Sequence, residues 1–162
     1  MNKNILLIGF MGCGKSTVGR ALSKRVGKYF LDTDNLIESS ENKYIKNIFE
    51  LYGENHFRNL ELECANWLKS SVKSSVISCG GGFIYVEKYI KLSEIGDVIY
   101  LDVDFEQIVK RLSGAEIDKR PLFKDNSKAR ELYEHRVALY KSVATKIVDG
   151  SKTVDEVIEQ IL

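Results

Sequence analysis

Ile5-Leu6-Leu7-Ile8-Gly9-Phe10-Met11-Gly12-Cys13-Gly14-Lys15-Ser16 begins with four aliphatic residues, turns at glycine and ends on a lysine and a hydroxyl. Its last eight residues fit GxxxxGK[ST], directly after a strand-length apolar run and directly before a helical one. Those are the residue types of a phosphate-binding loop. Glycines let the backbone curl so that successive N–H groups point at phosphate oxygens, and the following helix adds the positive end of its dipole. Lys15 can reach the β- and γ-phosphates, and the Ser16 hydroxyl can ligate Mg²⁺. A glycine-rich turn could match the pattern by accident, but it would need neither the strand before it nor the helix after it. The stretch is therefore read as an ATP site made by Gly12, Cys13, Gly14, Lys15, Ser16 and Thr17.

Outward from this loop, apolar runs of strand length recur at Ile5–Ile8, Tyr29–Leu31, Val76–Ser78, Val98–Leu101 and Ile147–Val148. Between them the spacing is helical: Phe105, Ile108, Val109 and Leu112 follow i, i+3, i+4, i+7, as do Val154, Val157, Ile158 and Ile161. Val26-Gly27 reads as a helix end, and Thr153 with Glu156 as a capping box. Strands alternating with helices, without hairpin signals, predict an α/β fold: a five-stranded parallel sheet in a three-layer α-β-α arrangement. Ligands in such sheets bind beyond the carboxyl ends of the strands. No linker, repeat or low-complexity stretch interrupts the 162 residues, so residues 1–162 are read as a single domain.

The composition is 44% hydrophobic and 29% charged with a net charge of +1, which gives no reason to expect nucleic acid or a membrane as partner. Cys13, Cys64 and Cys79 are odd in number and lack metal-ligand spacing, so a reduced, cytoplasmic setting is expected. The four aliphatics near the start are too short for a signal peptide or a membrane span.

Three further motifs stand where ligands are expected. Asp32-Thr33-Asp34 follows the second apolar run, where one carboxylate can serve a metal and the other a hydroxyl losing its proton. The same residues can also be a helix N-cap, with Asp34 before Asn35-Leu36-Ile37. Phe57-Arg58-Asn59-Leu60-Glu61 puts Arg58 and Glu61 three apart on a helical stretch; on a surface such a pair would be worth only about 0.2–0.5 kcal/mol. Gly80-Gly81-Gly82 follows the third strand and leaves bare backbone for a ligand to approach, or forms a flexible turn. A guanine-nucleotide switch would carry NKxD, whereas Asn42-Lys43 continues as Tyr44-Ile45.

In this order, and followed by Arg120-Pro121-Leu122 and the run Tyr133-Glu134-His135-Arg136-Val137-Ala138-Leu139-Tyr140, the motifs resemble the shikimate kinase family across essentially the whole chain. The resemblance implies a nucleoside-monophosphate-kinase-like fold. It also implies Mg²⁺-dependent transfer of the γ-phosphate of ATP to the 3-hydroxyl of shikimate, in aromatic amino-acid (chorismate) biosynthesis, by a cytoplasmic monomer.

Carried onto this sequence, the resemblance places Asp32 and Ser16 at the metal and Asp34 at the acceptor hydroxyl, with Lys15 and Arg120 completing the catalytic set. It makes Arg58 and Arg136 the receptors of the substrate carboxylate, with Glu61 fixing Arg58 and Gly80, Gly81 and Gly82 lining the ring. Phe49 and Phe57 match pocket-wall positions, and core packing would explain them equally. The substrate region is expected at 33–61. The polar segment 113–126 reads as a lid carrying Arg120, and Arg111 matches a position packed on adenine, or is a solvated helix-end arginine. Adenine contacts are not assigned to Asp149-Gly150-Ser151-Lys152-Thr153-Val154, which departs from the family's arginine-then-proline loop. Cys13 lies among loop amides near Lys15, a setting that favours thiolate and attack by a bulky thiol reagent. His56 and His135 read as solvent-facing, and Trp67 as packing. The competing readings are a related small-molecule kinase, such as a gluconate kinase, and a catalytically silent nucleotide-binding regulator.

Overall fold

The computed structural model describes residues 2–112 and 126–162. Five strands form one parallel sheet in the order β2-β3-β1-β4-β5: β1 Asn4–Ile8, β2 Tyr29–Asp32, β3 Ser75–Ser78, β4 Gly96–Asp102 and β5 Lys146–Asp149. Each contains its apolar run and extends it by one to three residues, because ladder pairing continues past the hydrophobic stretch. β3 is buried throughout and β1 almost so, as expected of central strands covered on both faces.

The helices are α1 Lys15–Val26, α2 Thr33–Glu41, α3 Ile45–Tyr52, α4 Glu54–Ser71, α5 Phe105–Arg111, α6 Asn126–Val143 and α7 Val154–Ile161, and they cover both faces of the sheet. Two ends follow the sequence directly. Gly27 closes α1 at φ 66°, and Thr153 with Glu156 forms the reciprocal capping box of α7. A 3₁₀ segment, Phe83–Lys88, follows the glycine turn. The main core runs from Leu6, Leu7 and Ile8 through Ile77, Val98 and Tyr100 to Ile158. A smaller core of Ile37, Ile48, Phe57 and Leu60 ties α2, α3 and α4 together, over the stretch expected to hold substrate. Trp67 does not belong to either core: it is 46% exposed on α4, because its helical position turns it away from the sheet.

The amino ends of the strands are held by a residue whose role the periodicity does not show. Asn4, 1% exposed, donates its side-chain amide to Val72 O at 2.8 Å and Ile95 O at 3.0 Å. Its side-chain oxygen accepts the Ser75 backbone N–H at 3.0 Å. One amide therefore joins the start of β1 to the starts of β3 and β4 and to the end of α4. Replacing it by its isostere, Asn4→Asp, keeps the acceptor but turns an oxygen toward two carbonyls. Urea unfolding should show a loss of about 2–4 kcal/mol; a loss below about 0.5 kcal/mol would mean that water replaces the clamp.

Candidate active site

Among the described residues, the phosphate loop, Asp32-Thr33-Asp34 and the glycine turn lie at the carboxyl edge of the sheet. The loop after β1 bends through Gly9, Gly12 and Gly14, and the last two adopt φ of 82° and 95°, in the left-handed region that side chains disfavour. Lys15, 8% exposed, donates its ammonium to Gly9 O at 2.7 Å and Phe10 O at 3.0 Å, so the cation is held against the loop by the loop's own carbonyls. Arg111, the last residue of α5, donates to Cys13 O at 3.2 Å and to Gly150 O at 3.0 Å. It is bound to the backbone and bridges the phosphate loop to the loop after β5. Cys13 is 2% exposed, with its sulfur near Lys15 Nζ at 3.7 Å. Burial removes the access that attack by a bulky thiol reagent requires. Burial also pushes the thiol of Cys64 up to about 12 and raises that of Cys79, against a partial pull from Lys15.

The two aspartates divide their work differently from a simple strand-end pair. Asp32 caps α2, its Oδ1 accepting the Asn35 N–H at 3.1 Å, while Oδ2 accepts the Ser16 hydroxyl at 3.3 Å. The N-cap is thus Asp32, and Asp34 is the second residue of the helix. A hydroxyl and a carboxylate so placed form the small hard-oxygen set that suits Mg²⁺, which takes its remaining ligands from phosphates and water. Thr33, fully buried between the aspartates, accepts the Gly80 N–H at 2.9 Å and so pins the glycine turn to the end of β2.

The three glycines face three polar side chains. A Cβ on Gly80 would lie 2.6 Å from Asp34 Oδ1, one on Gly81 would lie 3.2 Å from Arg136 Nη1, and one on Gly82 would overlap the Arg58 guanidinium. The glycine turn therefore brings Asp34, Arg136 and Arg58 together, residues spread over more than a hundred positions of sequence. Tyr133, Arg136 and Tyr140 lie on one face of α6. The Tyr133 hydroxyl donates to Val103 O at 2.7 Å and that of Tyr140 to Gly81 O at 2.5 Å. Arg136 is held between them at 6% exposure.

Arg58 and Glu61 do meet on α4, Nη1 to Oε1 at 2.5 Å, but this is no surface pair: Glu61 is 1% exposed. Glu54 accepts from the other Arg58 nitrogen at 3.3 Å. Phe57 is buried in the smaller core, Phe49 is 37% exposed, and their rings lie 4.8 Å apart. His56 and His135 are exposed, as expected. Arg120 and the rest of 113–125 lie outside the described residues. Thr33 and Tyr85 are the site residues that motif reading passes over. Their signals are a β-branched hydroxyl between two aspartates and an aromatic three residues beyond the glycines.

Burial pushes the Glu61 carboxyl up to about 7 from an ordinary 4.5, more than Arg58 pulls it down, and the Asp34 carboxylate adds to the rise. The folded value lies above the unfolded one, so this group's contribution to stability is fully present below about pH 4.5 and is lost as pH rises through about 7. Glu61→Gln removes the titration. Between about pH 5 and about pH 8 the wild type should lose up to about 3 kcal/mol more stability in urea unfolding than the variant does. Parallel profiles would show that Arg58 keeps Glu61 ionised throughout.

The comparison with known proteins agrees with this geometry. Residues 11–162 match the family model described as shikimate kinase. The shikimate kinase of Helicobacter hepaticus is 44% identical over 160 residues, 99% of this chain and 94% of that protein. The crystal structure of the Aquifex aeolicus shikimate kinase superposes with a TM-score of 0.84 at 36% identity, covering 98% of this chain and 93% of that one. The Acinetobacter baumannii shikimate kinase, solved in complex with shikimate, superposes with a TM-score of 0.89 at 33% identity, covering 99% of this chain and 91% of that one. A whole-chain match in sequence and in fold means that this chain belongs to the shikimate kinase family.

Proposed function

We propose that the protein transfers the γ-phosphate of ATP to the 3-hydroxyl of shikimate, giving shikimate 3-phosphate and ADP, with Asp34, Arg58 and Arg136 holding the acceptor. The observation that carries the residue assignment is the glycine turn, whose missing Cβ atoms let one carboxylate and two guanidinium groups face the same small space. Arg136 supports it further. It is 6% exposed, and among the described residues it forms no ion pair, so an anionic ligand would supply a counter-charge to this buried guanidinium.

The chemistry follows from the parts. A loose phosphoryl transition state needs alignment and charge neutralisation more than covalent help. Lys15 neutralises the β- and γ-phosphates while the loop amides hold them. Bound through Ser16 and Asp32, Mg²⁺ would supply further positive charge to the phosphate oxygens. Asp34 accepts the hydrogen bond of the acceptor hydroxyl, orients it toward the γ-phosphorus, and receives its proton as the new P–O bond forms. Arg58, steadied by Glu61, and Arg136 bind the carboxylate at the other end of the ring and so fix which hydroxyl faces the phosphate. Arg120 is assigned to the charge between the β- and γ-phosphates, in keeping with the lid reading of 113–126. No helix among the described residues is long and apolar enough to cross a membrane, and a cytoplasmic monomer of one domain, with its substrate region at 33–61, completes the proposal.

Coupled ADP release with shikimate, gluconate and nucleoside monophosphates tests the substrate. Turnover should be confined to shikimate, and comparable turnover of gluconate would favour the related-kinase reading. Asp34→Asn keeps the shape of the side chain but loses the proton acceptor, so kcat should fall by about 10²–10⁴ with ATP affinity little changed. Full activity would reduce Asp34 to a helix residue. Arg136→Ala should cost about 2–4 kcal/mol of shikimate binding and leave the Kd of ATP nearly unchanged. A shikimate analogue with its carboxylate reduced to an alcohol should be almost indifferent to that change. If the two losses simply add, Arg136 is not the carboxylate receptor.

A further inference from the structure

Two like charges do not stay together without a reason, and Arg58 and Arg136 face adjacent glycines. Glu61 and Glu54 balance Arg58, but both lie on its own helix, and neither pairs with Arg136. What lies against both guanidinium groups is the ring of Tyr85. Its centroid is 5.0 Å from Arg58 Cζ and 5.5 Å from Arg136 Cζ, both within the range of a cation–π contact. Its hydroxyl also accepts the Arg136 Nε–H at 3.4 Å. The ring is held in turn. Tyr85 donates its backbone N–H to Gly82 O at 3.1 Å at the start of the 3₁₀ segment, and the exposed His135 ring stacks near it at 6.4 Å.

We propose that Tyr85 is a positioning residue for substrate recognition: its ring face holds the guanidinium groups of Arg58 and Arg136 side by side, spaced to take one carboxylate. The electron-rich face attracts both cations and thereby offsets part of their mutual repulsion. The hydroxyl adds a long contact to the Arg136 Nε–H, secondary to the ring. Phe10 adds a second ring on the Arg136 side, 5.9 Å from Cζ, whereas the Tyr85 ring lies against both arginines. The proposal rests on the carboxylate reading of Arg58 and Arg136.

The experiment compares Tyr85→Leu and Tyr85→Phe in the full-length enzyme, with thermal unfolding to confirm that both fold. Tyr85→Leu keeps bulk but loses the π face. It should raise the KM for shikimate about 10-fold, while kcat stays within about 3-fold and the KM for ATP is unchanged. Tyr85→Phe keeps the ring and should stay within about 3-fold of wild type for shikimate. The alcohol analogue should not register Tyr85→Leu. In ¹⁵N spectra of the free enzyme, the Arg136 Nε–H should exchange faster in both variants than in wild type, because both lose the hydroxyl that accepts it. A normal shikimate KM in Tyr85→Leu, or an equal rise for ATP, would overturn the role of Tyr85. So would a Phe variant as impaired as the Leu variant, since the hydroxyl rather than the ring would then be the agent. Failure of the underlying reading looks different: the shikimate KM would not respond to Arg136→Ala at all.

Discussion

Cys79 donates its backbone N–H to the Leu7 carbonyl at 3.0 Å, one residue past the end of β3. That rung keeps the ends of β1 and β3 level, so the chain leaves the two strands at neighbouring points, through Gly9 into the phosphate loop and through Gly80 into the glycine turn. Phosphoryl transfer needs donor and acceptor atoms about 3–3.5 Å apart and in line. Parallel strands about 4.8 Å apart are a rigid means of bringing two loops to that scale. At the opposite end the Asn4 amide grips Ser75, so the β1–β3 register is fixed at both ends of a short ladder. A slip by one residue would turn every side chain of a strand to the other face. The site inherits its precision from the sheet.

The glycine turn shows how bare backbone can still be rigid. Gly80 N–H is bound by Thr33, Gly81 O by Tyr140, and Phe83 N–H returns to Gly80 O at 2.9 Å. Composition alone leaves a flexible turn open as a reading. The bonds close that option, because they come from the start of α2, from α6 and from the turn itself. What the glycines contribute is space, since a Cβ at each would meet Asp34, Arg136 or Arg58.

Charge is distributed unevenly for a chain whose net value is only +1. Lys15, Glu61 and Arg136 are among the few buried charged side chains of the described residues, and all three belong to the site. Burying them is unfavourable unless each is satisfied, and among the described residues no buried side-chain nitrogen or oxygen lacks a hydrogen-bond partner. Their partners differ in kind. Lys15 is held by carbonyls, Glu61 by a guanidinium, and Arg136 by aromatic faces and a phenol. Carbonyls and rings are weaker partners than a carboxylate, which leaves Lys15 and Arg136 attractive to anions.

By itself the sequence determined the phosphate loop, the five strands to within two residues at each end, the Gly27 and Thr153 caps and the meeting of Arg58 with Glu61. These are local matters: glycine φ angles, apolar periodicity and i, i+3 spacing act within a few residues and can be read along the chain. The family resemblance added which distant motifs belong together. Tertiary structure alone decided that Asp32 rather than Asp34 caps α2, that Cys13 is buried and Trp67 is not, and that Thr33, Asn4 and Tyr85 hold the framework and the site. Burial depends on what other elements lay over a residue, and the partners of these side chains lie up to about ninety positions away. A pattern along one strand or helix says which face is apolar. Only the packing of strands and helices says which polar atom ends up within 3 Å of which other.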